Sequence, residues 1–506
     1  MQNYDTYLQN SAESSEKPAA SGKNRKGFPV FGIPAILMLV LMLVVFALEI
    51  LISTRNGNPE DPFGAAVGTR NYSMVITNDG LPIALKDTLI FRLLQLAVSA
   101  CLATGIYSLY YAMKKPGTVL MSGCLWLIPA CLPYLPLTLA FWRGISPTGQ
   151  YLLASVLQTT SLFCFFGGLF AFINMKKKGR AGGGPFLGLL IAVLASLTGG
   201  LTARAVSIGM VNGRDMTMDS FIARYTLSMS RVGMGSAIAV IKVILQVLIA
   251  IVPMIALCIL ARKKSTRGEI PKTVLWIFLA IPAGVLLSFL SGSLLPSSGA
   301  SWDRAFFNSV VTVLMAGAFG GLAAYSFIHL MRRVSAFLYG LFAVILFTAM
   351  SCLSAQYYII RNIGIMNTFW PQVFLSVFDE RILLFIPVMA FVLRDYTEHR
   401  PGRLALGTAL LAGAAAWGDI NIPYIYNTRT ATITLPMMAY REFQMSLTVS
   451  PAGYLLMILP ALALGAGAAL LIRNAFREPE AFREDYGGIY AAQEQGTEEE
   501  PAGGEA

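Results

Sequence analysis

Three consecutive residues, Asp379, Glu380 and Arg381, stand inside an apolar run extending from about 369 to 393. Acid, acid and base at that density can hold a polar solute or neutralise charges on neighbouring segments. On the insertion scale each charge at a helix centre costs roughly 2.5–3.5 kcal/mol, so three unpaired charges would cost roughly 8–10 kcal/mol. Adjacent and next-adjacent residues do not face one another on a continuous helix. The spacing therefore predicts partners on other segments, and Lys242, Arg92 and Asp419 are the candidates. The chemistry implied is a polar cavity or substrate path. The alternative is a break in the run that leaves the triplet near a membrane interface.

A second acidic pair, Glu60-Asp61, lies in "NPEDPFG". Acids in an outer loop can serve a polytopic glycosyltransferase as base or metal ligand. The segment also reads as a plain turn rich in Pro and Gly, and that reading is the stronger one because no second acid cluster accompanies it. Cys101, Cys124, Cys131, Cys164, Cys258 and Cys352 all fall in apolar segments and read as small buried hydrophobes. His329 and His399 build no metal site or catalytic triad. No catalytic residue, metal or cofactor is expected, and no enzyme.

The scaffold for these residues follows from composition. The 506 residues are 56% hydrophobic and only 13% charged, more apolar surface than a soluble domain can hide. Runs of about 20 apolar residues have the length of a membrane-crossing helix, and none shows the alternation of barrel strands. The expected fold is all-α: a polytopic membrane protein of about twelve transmembrane helices. The predicted spans lie near 30–52, 84–112, 118–141, 150–174, 185–203, 234–261, 273–295, 304–331, 334–355, 369–393, 403–420 and 452–473. The first is too long for a cleaved signal peptide and reads as a signal anchor. Residues 1–29 and 475–506 read as disordered tails, the second one acidic.

The net charge is +11, yet its distribution argues against a nucleic-acid footprint. With the amino terminus inside, the inner segments carry about twice as many Lys and Arg as the outer ones, the bias expected of cytoplasmic loops. Both termini are then cytoplasmic, in a multi-pass protein of the cell membrane whose first partner is the lipid bilayer.

Two stretches repeat. In "GIYSLYYAMKK" (105–115), Tyr107-Ser108 precedes Lys114-Lys115 by the same interval that separates Tyr325-Ser326 from Arg332-Arg333 in "AAYSFIHLMRR" (323–333). Upstream, "KDTLIF" (86–91) aligns with "FNSVVT" (307–312). Six spans per half give two halves of the same orientation, a parallel repeat: 30–264 and 265–474.

The pieces in order resemble the sugar and oligosaccharide permease subunits of type I ABC importers. "NPEDPFGAAVGTRNYSMVITNDG" (58–80), "KKPGTVLMSGCLWLIPACLP" (114–133) and the run from 218 to 264 resemble one subunit. "NSVVTVLMAGAFGGLAAYSFIHLMRR" (308–333), "RNIGIMNTFWPQVFLSVF" (361–378) and "AWGDINIPYIYNTRTATITLP" (416–436) resemble its partner subunit. The resemblance implies both permeases fused in one chain, an extracytoplasmic sugar-binding protein outside and a separate ATPase inside.

The resemblance also implies a cytoplasmic coupling helix in each half, marked by E-A-A and a following Gly. No E-A-A occurs. The first expected position holds "MKKKGRAGGG", with Lys176, Lys177, Lys178 and Arg180; the second holds "RDYTEHRPGR", with Arg394 and Arg400. Both are short and carry glycines or a proline that oppose a helix. They read as plain turns, so an ATPase partner is doubtful. No phosphate-binding G-x-x-x-x-G-K-[ST] is present either. Three functions stand at this point: a carbohydrate permease, a non-transporting permease-like scaffold or sensor, and a polytopic glycosyltransferase.

Overall fold

The computed structural model describes residues 33–133, 136, 147–178, 184–202, 217–260, 301–333, 340, 341, 343, 345, 351–396, 399–427, 429–446 and 449–476. Both tails, most of the two predicted spans 273–295 and 334–355, and Arg180 lie outside the described residues.

The described residues are helical almost throughout. In order come α1 (Ile33–Ser53), α2 (Arg70–Ile76), α3 (Gly80–Ala112), α4 (Pro116–Leu125), α5 (Leu127–Ala130), α6 (Pro147–Lys178), α7 (Gly184–Thr198), α8 (Met218–Ala223) and α9 (Val232–Leu260). They are followed by α10 (Trp302–Arg333), α11 (Leu353–Ile363), α12 (Trp370–Leu375), α13 (Glu380–Asp395), α14 (Pro401–Gly418), α15 (Asn421–Tyr426), α16 (Leu435–Ser446) and α17 (Pro451–Phe476). The one sheet among the described residues pairs Arg55–Asn56 with Ala65–Ala66 in antiparallel register and closes the loop after α1.

Six of these helices, α1, α3, α6, α9, α10 and α17, are long and apolar enough to cross a membrane. Their surroundings differ. The apolar windows of α6 and α10 are 94% and 83% buried, whereas those of α1, α3, α9 and α17 are buried over 28–39%. The first two are central posts. The other four keep an apolar face outward, with Leu37, Leu93, Val252 and Leu455 among the exposed side chains, a surface suited to hydrocarbon.

Small residues set the closest approaches. α10 lies along α14 so tightly that a Cβ on Gly321 would sit 2.3 Å from Ala409 Cα, packing of the kind membrane helices use in place of a hydrophobic drive. α11 ends on Gly364, whose φ of 79° closes the helix in the left-handed region that favours glycine.

The helices interlock across the two predicted halves. α13 packs on α10 and also on α6 and α7; α17 packs on α14 and on α4 and α5. α1 packs on α9, α10 and α11. There the Ala35 N–H donates to Ser326 Oγ at 3.3 Å. The carboxylate of Glu49 accepts the Ala355 N–H at 2.7 Å.

The aligned stretches "KDTLIF" and "FNSVVT" have matching roles. Thr88 Oγ1 on α3 accepts the N–H of Met218, the first residue of α8, at 2.8 Å. Ser309 Oγ on α10 accepts the N–H of Leu435, the first residue of α16, at 2.7 Å. Each hydroxyl satisfies an N–H that the start of a short helix leaves without a helical partner.

The run 369–393 is broken at the triplet, as the alternative reading of it allowed. α12 gives way to a 3₁₀ turn at Ser376–Phe378, Asp379 is extended (φ −63°, ψ 137°), and α13 starts afresh at Glu380. Asp379 is a capping residue, and a new first turn with acid in it is the more stable local choice.

Candidate functional site

The break at Asp379 decides the geometry of the charged triplet. The Asp379 carboxylate accepts the Arg381 N–H at 2.9 Å, which caps α13. It also accepts Arg381 Nε at 2.7 Å and Nη2 at 3.0 Å, a two-pronged ion pair. The expectation that residues two apart cannot meet is therefore overturned, because Asp379 stands outside the helix that carries Arg381. The pair is buried, with Asp379 3% and Arg381 7% exposed. Arg381 reaches further, to the carbonyls of Ala130 and Ala415, each at 3.4 Å.

Glu380 points elsewhere. Its Oε2 lies 3.6 Å from Nη1 of Arg92 on α3. Arg92 is held by Gln95 Oε1 at 2.7 Å and by the carbonyl and hydroxyl of Ser196 at 3.2 and 3.3 Å. Gln95 in turn donates to Thr159 Oγ1 at 2.9 Å, which ties α6 to the same network. A buried guanidinium needs such multiple acceptors. One of the two bases expected to serve the triplet does so.

Lys242 does not. It is fully buried on α9 and pairs with Asp219 in the first turn of α8. The expected pairing of Lys242 with the acids at 379 and 380 is thus corrected: α8 packs directly on α9 and supplies a nearer carboxylate. Asp419 has a structural place of its own. It ends α14, and its Oδ1 accepts the Asn421 N–H at 3.0 Å to start α15.

Asp219 and Glu380 nevertheless border one cavity of about 80 Å³, together with Gln356, Asn421 and Tyr426. Glu380 also borders a second space of about 20 Å³ that contains Arg92, Gln95 and Gln158. Four polar atoms of residues lining this region have no protein partner: the Tyr426 hydroxyl, Asn421 Oδ1, Gln158 Oε1 and Arg92 Nε. Three acids and three bases surround the region, each acid matched with a base. The lining is mostly apolar, with Ile222, Leu353, Ile422 and Ile425 among its residues, and its few charged groups are paired. Asp219, Gln95, Gln158, Gln356 and Tyr426 escaped the sequence reading. Polar residues within apolar runs were the available signal for the glutamines, whereas Asp219 reads as part of an outer loop.

The remaining sequence candidates do not gather here. Lys176 and Lys177 are exposed on the last turn of α6; Lys178 ends that helix. Arg394 lies in the last turn of α13. Arg400 precedes α14, and its N–H donates to Ala475 O at 2.8 Å. Only the stretch between Asp395 and Pro401 separates α13 from α14. Glu60 and Asp61 form an exposed turn in which Asn58 Oδ1 accepts both their N–H groups at 2.8 and 2.7 Å. No group of three or more His, Cys, Asp or Glu able to hold a metal occurs among the described residues.

The "NY" of the sequence has a structural task. Asn71 Nδ2 donates to the carbonyls of Ser53 and Arg55 at 2.9 and 2.8 Å, and Tyr72 OH meets Ser53 Oγ at 2.5 Å. Asn308 does the same kind of work on α10, donating to Ala431 O and Ile433 O, both at 3.0 Å. No family model, curated protein or solved structure matches the chain.

Proposed function

We propose that the chain is the membrane-spanning permease component of an ABC-type carbohydrate uptake system, with both permease halves in one polypeptide. The observation that carries this reading is the buried ion pair at the seam of the halves, where Arg92 of the first faces Glu380 of the second beside a cavity that also bears unmatched hydroxyl and amide groups. A lining without net charge and with free hydroxyl and amide groups suits a neutral, hydroxyl-rich solute better than an ion. Twelve spans in two parallel six-helix halves complete the reading, in the cell membrane with both termini cytoplasmic. The matched roles of Thr88 and Ser309 support the repeat.

The short connection between α13 and α14 favours a second reading, a permease-like scaffold or sensor that does not couple to an ATPase. It leaves little room for an interfacial helix. Uptake of labelled neutral oligosaccharides by cells with and without this chain separates the two. Transport that requires the chain and is lost in Glu380→Leu supports the permease. Unchanged uptake on removal of the chain ends that proposal and leaves the scaffold.

A further inference from the structure

A second, larger cavity of about 700 Å³ adjoins the one that Asp219 and Glu380 border. It is a lateral groove between α1 and the α10, α11 and α12 elements, lined by Leu37, Leu41, Phe319, Ile360, Ile363 and Phe374 among others. Gln356 alone among its described lining side chains carries an amide. Leu37, Leu41 and Ile363 at its mouth are 64%, 47% and 66% exposed, so the groove opens onto the same outward apolar surface of α1 that faces hydrocarbon. The smaller cavity and the groove share a wall: Gln356, Leu375 and Phe378 border both. Beyond that wall stand the Tyr426 hydroxyl, which is 1% exposed and has no protein partner, and the unmatched Asn421 Oδ1.

We propose that the groove seats the hydrocarbon chain of a bilayer-dissolved amphiphile, whose neutral, hydroxyl-bearing head passes Gln356 to meet the Tyr426 hydroxyl and Asn421 Oδ1 in the smaller cavity. Both spaces are largely apolar, and the smaller one adds a few hydrogen-bonding groups, the Tyr426 hydroxyl and Asn421 Oδ1 among them. An apolar groove open to the bilayer gains nothing from a water-soluble sugar, and its natural occupant is a chain already in the hydrocarbon. The cavity behind it offers hydrogen bonds and no net charge, because its carboxylates are engaged with Arg92 and Lys242. A charged head would lose its hydration without a counter-charge to meet. This cavity is the smaller of the two, so it receives the leading hydroxyls of a small head. This inference rests on the cavity being the substrate site, and it narrows the substrate from a free sugar to a lipid-borne one.

The test uses the full chain in phosphatidylcholine vesicles. One probe is dodecyl β-glucoside with a photoreactive diazirine in its chain; the other is phosphatidylcholine with the same group. The glucoside is expected to label α1, α11 and α12, and unlabelled dodecyl glucoside should compete while free glucose should not. Leu41→Trp and Ile363→Trp fill the mouth from exposed positions, so folding is spared, and labelling should be lost. Tyr426→Phe should remove the preference for glucoside over phosphatidylcholine. Equal labelling by both probes in the unaltered chain would reduce the groove to an ordinary lipid contact and overturn the proposal. So would cross-links from Leu41 to residues 261–300 of the same chain in place of the probe. Uptake of free oligosaccharide without glucoside labelling would sink this inference and keep the permease reading. Competed glucoside labelling without any transport would do the reverse.

Discussion

Arg92 Nη1 and Glu380 Oε2 stand 3.6 Å apart although 288 residues separate them in the chain, and each closes a network the other half began. Glu380→Leu leaves a guanidinium buried without its carboxylate, a loss of roughly 3–5 kcal/mol. Arg92→Leu leaves the carboxylate. The double variant Arg92→Leu/Glu380→Leu should recover most of the stability, read as thermal unfolding in detergent. Additive losses would mean that the two side chains do not interact.

Asp379 has two separable tasks, capping and charge pairing. Asp379→Asn keeps an oxygen for the Arg381 N–H but loses the charge; Asp379→Ala loses both. The alanine variant should be less stable than the asparagine variant by about 1 kcal/mol, the usual worth of an N-cap. Equal stability would show that the cap contributes nothing.

Glu49 is fully buried on α1, and no ion pair to it occurs among the described residues. Its carboxylate takes the Ala355 N–H, with the Ser236 and Ser354 hydroxyls beside it. Glu49→Gln keeps an acceptor there and should leave unfolding unchanged. Glu49→Ala should lose about 1–3 kcal/mol, the penalty of an N–H left without a partner. A glutamine variant as unstable as the alanine one would assign Glu49 a task that needs its charge.

The two helix-start bonds should behave as twins. Thr88→Val and Ser309→Ala each strand one buried N–H, and each should cost about 1–3 kcal/mol in a reversible unfolding assay. A large effect at one site and none at the other would weaken the repeat.

Topology is directly testable on exposed positions. In a background free of cysteine, Glu60→Cys and Arg429→Cys should react with an impermeant maleimide added outside intact cells. Lys115→Cys and Lys177→Cys should not. One reversal is enough to break the assigned orientation.

Much of the architecture was legible because apolar runs of membrane length leave few choices. The Arg92–Glu380 pairing was legible too, since a charge in hydrocarbon demands a partner. Asp379–Arg381 was not, because the spacing rule of a continuous helix sends both side chains to other segments, and the alternative of a break came with no pairing of its own. A cap was nevertheless written there, an Asp followed by an acid in the first turn. Asp219 was invisible as the partner of Lys242 for another reason: a short helix folded back from an outer loop carries no periodic signal of its own. The groove could not be read at all. It depends on where α1 lies relative to α11 and α12, and residues so far apart in sequence hold no record of that distance.

The seating of α1 has a consequence for biosynthesis. Its contacts with Ser326 and Ala355 join residues 291 and 306 positions apart. Helix α1 therefore leaves the ribosome long before these partners and must wait for them. During that interval its buried Glu49 has no Ala355 N–H to meet, and the groove has only one wall. A ribosome stalled before residue 355 should hold a nascent chain whose α1 is still open to quality-control proteases, and the two halves expressed as separate genes would have to find each other in the membrane before either was finished.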